Sequence, residues 1–218
     1  LTAAERAHWL QELTLMSRAL VTTEPGSSLE VAEAQISHAA SKSICDRTDV
    51  IGPNASVARI ATLLDDGRFT AHAFAVLARH AFIAEAILRS IVQRGAVSGE
   101  RIGEFKSSIT TVMSEFSDAT KAVSAGQMDE QQFLEKYGHL RPGSFDLQSP
   151  CYRNRPSLFS IGLSGAEPVV DRHPFALTER EVTDIRSLLS EEELDQRLEP
   201  TTLLEYAKRA IVGREYGK

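Results

Sequence analysis

Between Phe69 and Arg94 the chain carries its longest uninterrupted pattern, in which Phe74, Leu77, Ala81, Leu88 and Ile91 recur at spacings of three, four and seven residues. Such spacing places apolar side chains on one stripe of a helix. Ala71, Ala73, Ala75, Ala78, Ala81, Ala84 and Ala86 fill much of the remainder. Alanine favours helix intrinsically and lets neighbouring backbones approach on more than one side. This segment is predicted to be the central buried helix, closed by Gly95.

The flanking segments repeat the helical period. Residues 2–20 set Ala7, Leu10, Leu13 and Leu20 near one stripe, with Trp9 and Met16 beside it, before Pro25-Gly26 breaks the pattern. Ser28 is expected to cap a second helix through about Cys45, with Glu30 in the first turn, where the helix dipole favours an acid. Gly52-Pro53-Asn54 ends that region, and a short third helix is expected from Ala55 to Leu64. Ser98 opens a long helix carrying Ile102, Phe105, Ile109, Val112 and Phe116 that ends near Gly126, and Asp129 caps a shorter one through Lys136. From Ser157 to Pro174 the chain reads as an irregular crossing segment. Thr178 then begins a capping box with Glu181, and a final helix starts near Thr201.

Together these segments predict an all-α, multi-helix bundle with an ordered Gly/Pro loop layer and little or no strand. All 218 residues are read as a single domain, with N-terminal helices over 1–54, central helices and a loop over 55–156, and a crossing segment with C-terminal helices over 157–218. The chain starts with Leu and stops inside a helical pattern, so it is read as a piece of a larger protein.

Several function classes are disfavoured. The net charge is −6, and the 24 basic residues are scattered, without the run that binds nucleic acid or an anionic membrane. No apolar stretch approaches the roughly 20 residues of a membrane span, and no signal-peptide pattern opens the chain, which gives a cytoplasmic reading. Cys45 and Cys151 are isolated thiols, so neither a zinc site nor a disulfide framework is indicated. The chain has no GxxxxGK[ST] loop, GxGxxG turn, GxSxG elbow or HExxH helix. His72 and His80 lean the same way on one helix but lack further metal ligands, and are read as polar residues lining a helix interface.

One stretch cannot be regular structure. Lys136-Tyr-Gly-His-Leu-Arg-Pro-Gly-Ser-Phe-Asp146, followed by Cys151-Tyr-Arg-Asn-Arg155, holds Gly138 and Gly143, which permit backbone angles closed to other residues. Pro142 fixes its own φ and pushes Arg141 out of the helical region. His139, Arg141, Arg153, Arg155 and Asp146 gather on this segment, a set suited to an anionic ligand. The plainer alternative is a structural turn in which His139 donates to a carbonyl and Arg141 pairs with Asp146. On the central helix, Arg79 is a candidate to face a cleft, and Glu85 is placed to pair with Arg89 at i,i+4.

The run from Phe133 to Leu147, then Ser149-Pro-Cys-Tyr-Arg153, resembles the YGH, R, PG, (T/S)(Y/F)D and SPxY segment of the phosphoenolpyruvate-utilising phosphotransferases. These are the relatives of phosphoenolpyruvate synthase, pyruvate phosphate dikinase and the rifamycin phosphotransferases. Three further segments are similar: Thr70 to Arg94, Phe105 to Val112, and Leu203 to Lys218 with its Gly-Arg-Glu-Tyr-Gly-Lys ending. The resemblance covers roughly residues 55–218.

It implies a multidomain enzyme that uses ATP and Mg. An ATP-grasp module and a phosphohistidine domain would flank a helical domain that binds a small-molecule acceptor. The family's carrier-histidine motif and an ATP-grasp signature are absent here, so this chain is expected to be the acceptor-binding helical domain, inactive by itself. His139, Arg141, Asp146, Arg153 and Arg79 are its expected substrate-binding residues, with no metal and no catalytic group of its own. A different class of reading is a non-catalytic helical scaffold that spaces the flanking modules.

Overall fold

The computed structural model describes residues 2–45, 57–141, 148–154, 173–191 and 198–216. These residues form eight α-helices and no strand, which makes the protein all-α as its periodicity predicts. The helices are α1 (Ala3–Leu20), α2 (Ser28–Cys45), α3 (Val57–Gln93), α4 (Gly99–Ser108), α5 (Val112–Ser124), α6 (Glu130–Tyr137), α7 (Glu179–Glu191) and α8 (Pro200–Tyr216), with a 3-10 turn at Tyr152–Asn154. The expected crossing segment, Ser157 to Pro174, lies almost wholly outside the described residues.

Local chemistry explains most of the helix ends. Asp129 accepts from the Gln131 amide, and the Thr178–Glu181 capping box forms in both directions, at 2.8 and 3.3 Å. Gly95 and Gly126 close α3 and α5 at φ 78° and 68°, a region in which a side chain is strained. At α2 the expected cap is displaced by one residue. Ser27, not Ser28, bonds the Glu30 amide, while Glu30 reaches back to the Gly26 amide at 2.6 Å.

Two boundaries differ from the periodic reading. The short helix expected to end at Leu64 and the central helix expected from Phe69 are one helix, α3, which runs through Asp65-Asp66-Gly67-Arg68. A single glycine costs a helix about 1 kcal/mol and does not break it. The helix expected from Ser98 to Gly126 is two, because Ile109 and Thr111 are extended and Thr111 caps α5 in a box with Ser114. Ser107-Ser108-Ile109-Thr110-Thr111 is a run of hydroxyl and β-branched residues that compete with helix through local hydrogen bonds and lost rotamers.

That break coincides with a division of the chain. The backbone groups into two compact units, Leu1–Ile109 with Pro174–Lys218, and Thr110–His173. In the first unit α2, α3 and α8 bury Leu29, Leu77, Ala84, Leu88, Tyr206 and Ala210 against one another. The α3–α8 approach is close, since a Cβ on Gly213 would stand 3.1 Å from Leu77 Cδ2. Beyond the end of α3, Ile102 and Phe105 of α4 and Ile185 and Leu189 of α7 extend the same core. The stripe foreseen on α1 is not buried: Trp9, Leu10, Leu13 and Met16 are all exposed, and the core takes up Val21 just beyond the helix.

Polar ties also cross this unit. Arg209 of α8 bonds both carboxylate oxygens of Glu33 on α2 and the Thr23 carbonyl. Arg101 of α4 forks onto Glu181 at 3.0 and 3.2 Å, donates to the Ala176 carbonyl and stacks 4.4 Å over the Phe175 ring. The Arg101 guanidinium, helped by the Thr178 amide and hydroxyl, holds the Glu181 carboxyl down at about 2. Lys106 of α4 bonds Glu85 at 2.7 Å, so the carboxylate expected to pair with Arg89 is engaged across helices instead.

Candidate functional site

The second unit is small and aromatic. Phe133 and Tyr137 of α6 lie four residues apart, hence on one face, and meet Phe116 of α5 and Tyr152 of the 3-10 turn. Ring centroids are 5.1–5.6 Å apart within this cluster, the spacing of tilted and edge-to-face aromatic pairs. Phe133 is wholly enclosed, while Val123, Met128, Leu134 and Leu140 pack around it.

This cluster fixes the start of the candidate loop. The chain leaves α6 at Tyr137, Gly138 bonds the Leu134 carbonyl, and Leu140 bonds the Tyr137 carbonyl. The returning segment then crosses it. Tyr152 donates its amide to the Leu140 carbonyl at 3.0 Å, and Arg153 donates to the Gly138 carbonyl at 2.9 Å.

Gly138 is required here for a reason other than the one expected. Its φ of −61° and ψ of −18° are open to any residue. What it lacks is room: a Cβ would stand 2.2 Å from the Leu134 carbonyl oxygen and 3.2 Å from Arg153 Cβ. Gly138 is therefore the point at which the outgoing and returning segments touch.

Of the five predicted site residues, the structure brings three onto joined backbone. His139 and Arg141 lie on the outgoing segment, Arg153 on the returning one, and all three are exposed. Lys136 adds a further cation, 5.0 Å over the Tyr137 ring and 3.3 Å from Glu115. Tyr137 first, then Glu115, raise the pKa of the Lys136 ammonium. Asp146, Pro142, Gly143 and Arg155 lie outside the described residues. Arg79 belongs to the first unit, where it is exposed on α3.

The first unit contains a polar site of which the sequence reading held only His80, as a residue lining a helix interface. His80, 2 % exposed, bonds Ser28 Oγ through Nε2 and the Tyr206 hydroxyl through Nδ1, each at 2.9 Å. His72, its expected companion, is exposed. The signal available was His80 itself, a polar residue three positions after Leu77 and eight before Leu88 on the buried stripe. Its partners were invisible because they are 52 and 126 residues away.

A cavity of about 510 Å³ in the same unit is lined mainly by Val21, Ile83, Ile87, Leu188 and Leu203. Arg94, ion-paired with Glu191 at 2.6 Å, is its one charged lining residue among the described residues. Among the described residues, no group of three or more His, Cys, Asp or Glu side chains is placed to hold a metal ion, and no helix is long and apolar enough to cross a membrane. No family model, curated protein or solved structure matches the chain.

Proposed function

We propose that this chain is the acceptor-binding helical domain of a phosphoenolpyruvate synthase-like phosphotransferase. On this reading the phosphoryl group reaches the acceptor from a carrier histidine on a module outside the chain, charged with the help of ATP and Mg. The observation that carries the proposal is the Tyr-Gly-His-Leu-Arg segment: it bears the most specific part of the sequence resemblance, and it is held in one shape by α6, the aromatic cluster and two cross-segment backbone bonds. Three exposed basic side chains, His139, Arg141 and Arg153, stand on that fixed backbone.

Phosphoryl transfer depends chiefly on positioning the partners and on cations near the moving charge. A guanidinium fork on a preordered turn fits that need, because it offers two parallel donors to an anion or to a hydroxyl-rich acceptor. Arg141 and Arg153 are assigned to acceptor contact and His139 to a hydrogen bond with it. Asp146, on the same loop segment, remains part of the proposed binding set.

Arg141→Ala in the full multidomain enzyme tests the proposal. Acceptor-dependent turnover is expected to fall, while ATP-dependent phosphorylation of the carrier histidine and the melting temperature stay unchanged. An unimpaired acceptor reaction removes Arg141 from the site. A lower melting temperature with normal acceptor turnover assigns it to the turn alone. Incubated by itself with ATP or with phosphoenolpyruvate, the chain is expected to gain no phosphate by intact mass. A stoichiometric gain of one phosphate overturns the modular assignment.

A further inference from the structure

All six histidines are described, and His80 alone is buried. Tyr206 is 0 % exposed, and its hydroxyl makes one hydrogen bond among the described residues, to His80 Nδ1. An O–H donor left without an acceptor at full burial is costly, so the Tyr206 proton must point at Nδ1. Nδ1 is then an acceptor, and the ring hydrogen sits on Nε2, where it is donated to Ser28 Oγ. Ser28 is at the surface and can pass its own hydrogen to water. The same tautomer rules out a Ser–His nucleophile, because Nε2 cannot take the Ser28 proton while it carries its own.

We infer that Ser28, His80 and Tyr206 form an acid-sensitive latch that joins α2 to α3 and α8, closed while His80 is neutral and released when Nδ1 takes a proton. In the imidazolium, Nδ1–H and the Tyr206 O–H face each other as two donors. One of them loses its partner inside the core, and the new charge sits on a ring that is 2 % exposed. Burial is the larger influence on His80 and lowers its pKa below the usual value for histidine, with the Glu33 carboxylate of α2 opposing it. Arg209 of α8 holds that carboxylate, and Glu30 and Glu205 also act on the guanidinium. From α4, the ammonium of Lys106 is paired with Glu85. Release frees the α2 face that carries Leu29, Ala32 and Ile36.

The sign follows from linkage. His80 binds its proton more weakly in the closed state than in the open one, so closure is fully favoured above about pH 6.5, the usual histidine value. It weakens by about tenfold per pH unit as pH falls from there toward the closed-state value.

Amide exchange on the full chain, with protection factors corrected for intrinsic rates, tests this between pH 7.5 and 5. Protection of Ala32 and Ile36 is expected to fall about tenfold per pH unit below about 6.5, one proton per opening. In His80→Gln, whose amide oxygen accepts from Tyr206 and whose NH₂ donates to Ser28 without titrating, the slope is expected to vanish. Nitrogen NMR of the His80 ring is expected to show the Nε2–H tautomer at pH 7.5. An Nδ1–H tautomer, or an unchanged slope in His80→Gln, overturns the latch. Should that variant not fold, α7 of the wild type serves as the reference: Ile185 and Leu189 are expected to keep their protection while α2 loses it, and equal slopes in both helices overturn the inference.

Discussion

Phe133→Ala probes whether the two units have separate cores. Phe133 is the one side chain of the second unit with 0 % exposure among the described residues, and its ring sits 5.4 Å from Phe116 and 5.1 Å from Tyr137. Replacing a buried phenylalanine by alanine costs about 3–5 kcal/mol, from lost transfer energy and from the cavity left behind. A unit the length of Thr110–His173 holds about 3–10 kcal/mol in total, so the loss removes much or all of its margin. Among the described residues these rings belong to a cluster of their own, separate from the core of Leu77, Leu88, Tyr206 and Ala210. Amide exchange read by mass spectrometry is expected to show peptides from α5 and α6 opening in the variant, while those from α3 and α8 keep wild-type protection. Met113→Ala, on an α5 residue that is 56 % exposed, serves as the control and is expected to change stability by less than about 0.5 kcal/mol. Unchanged protection in α6 would refute the packing argument. Simultaneous opening of α3 and α8 would refute the separation of the cores.

Two glycine substitutions give opposite signs. Gly138→Ala forces a Cβ against the Leu134 carbonyl and is expected to destabilise the second unit by about 1–3 kcal/mol, with acceptor turnover falling in parallel. Gly103→Ala, on an exposed face of α4 with nothing within 4 Å of the new Cβ, is expected to stabilise by about 0.5–1 kcal/mol, and thermal melts that rank the two alike would count against the close-approach argument. Glu181 has a folded pKa of about 2 against an ordinary value of 4.5, so its contribution is present above about 4.5 and drains away as pH falls toward 2. Glu181→Gln is expected to cost about 1–2 kcal/mol at pH 7, reduced from the full charged-bond value because Arg101 is partly open to water, and to cost little near pH 2; urea midpoints at both pH values decide it.

The all-α architecture was legible because period and caps are local. Leu77, Ala81, Leu88 and Ile91 are all buried on α3, and Asp129, Thr178 with Glu181, Gly95 and Gly126 act at the helix ends where their chemistry placed them. Each of those features concerns neighbours within one or two turns. The cationic loop residues could also be named from the chain alone, since glycine and proline exclude helix wherever they cluster.

Other features needed the third dimension. Whether α3 continues through Gly67 depends on a balance of about 1 kcal/mol, too small for local signals to resolve. Ser28 looked like a cap until His80 took its hydroxyl, and Glu85 looked like a partner for Arg89 until Lys106 reached it from α4. Gly138 suggested an unusual φ, yet the constraint is space, because a Cβ there would meet the Leu134 carbonyl oxygen at 2.2 Å and Arg153 Cβ at 3.2 Å. The division at Ile109 and Thr110 is of the same kind, because an amphipathic pattern states that a face must be covered and says nothing of which face covers it. Short-range hydrogen bonding and helical period were written in the sequence; partners 52 to 126 residues apart were selected only when burial made unpaired polar groups and unfilled space costly.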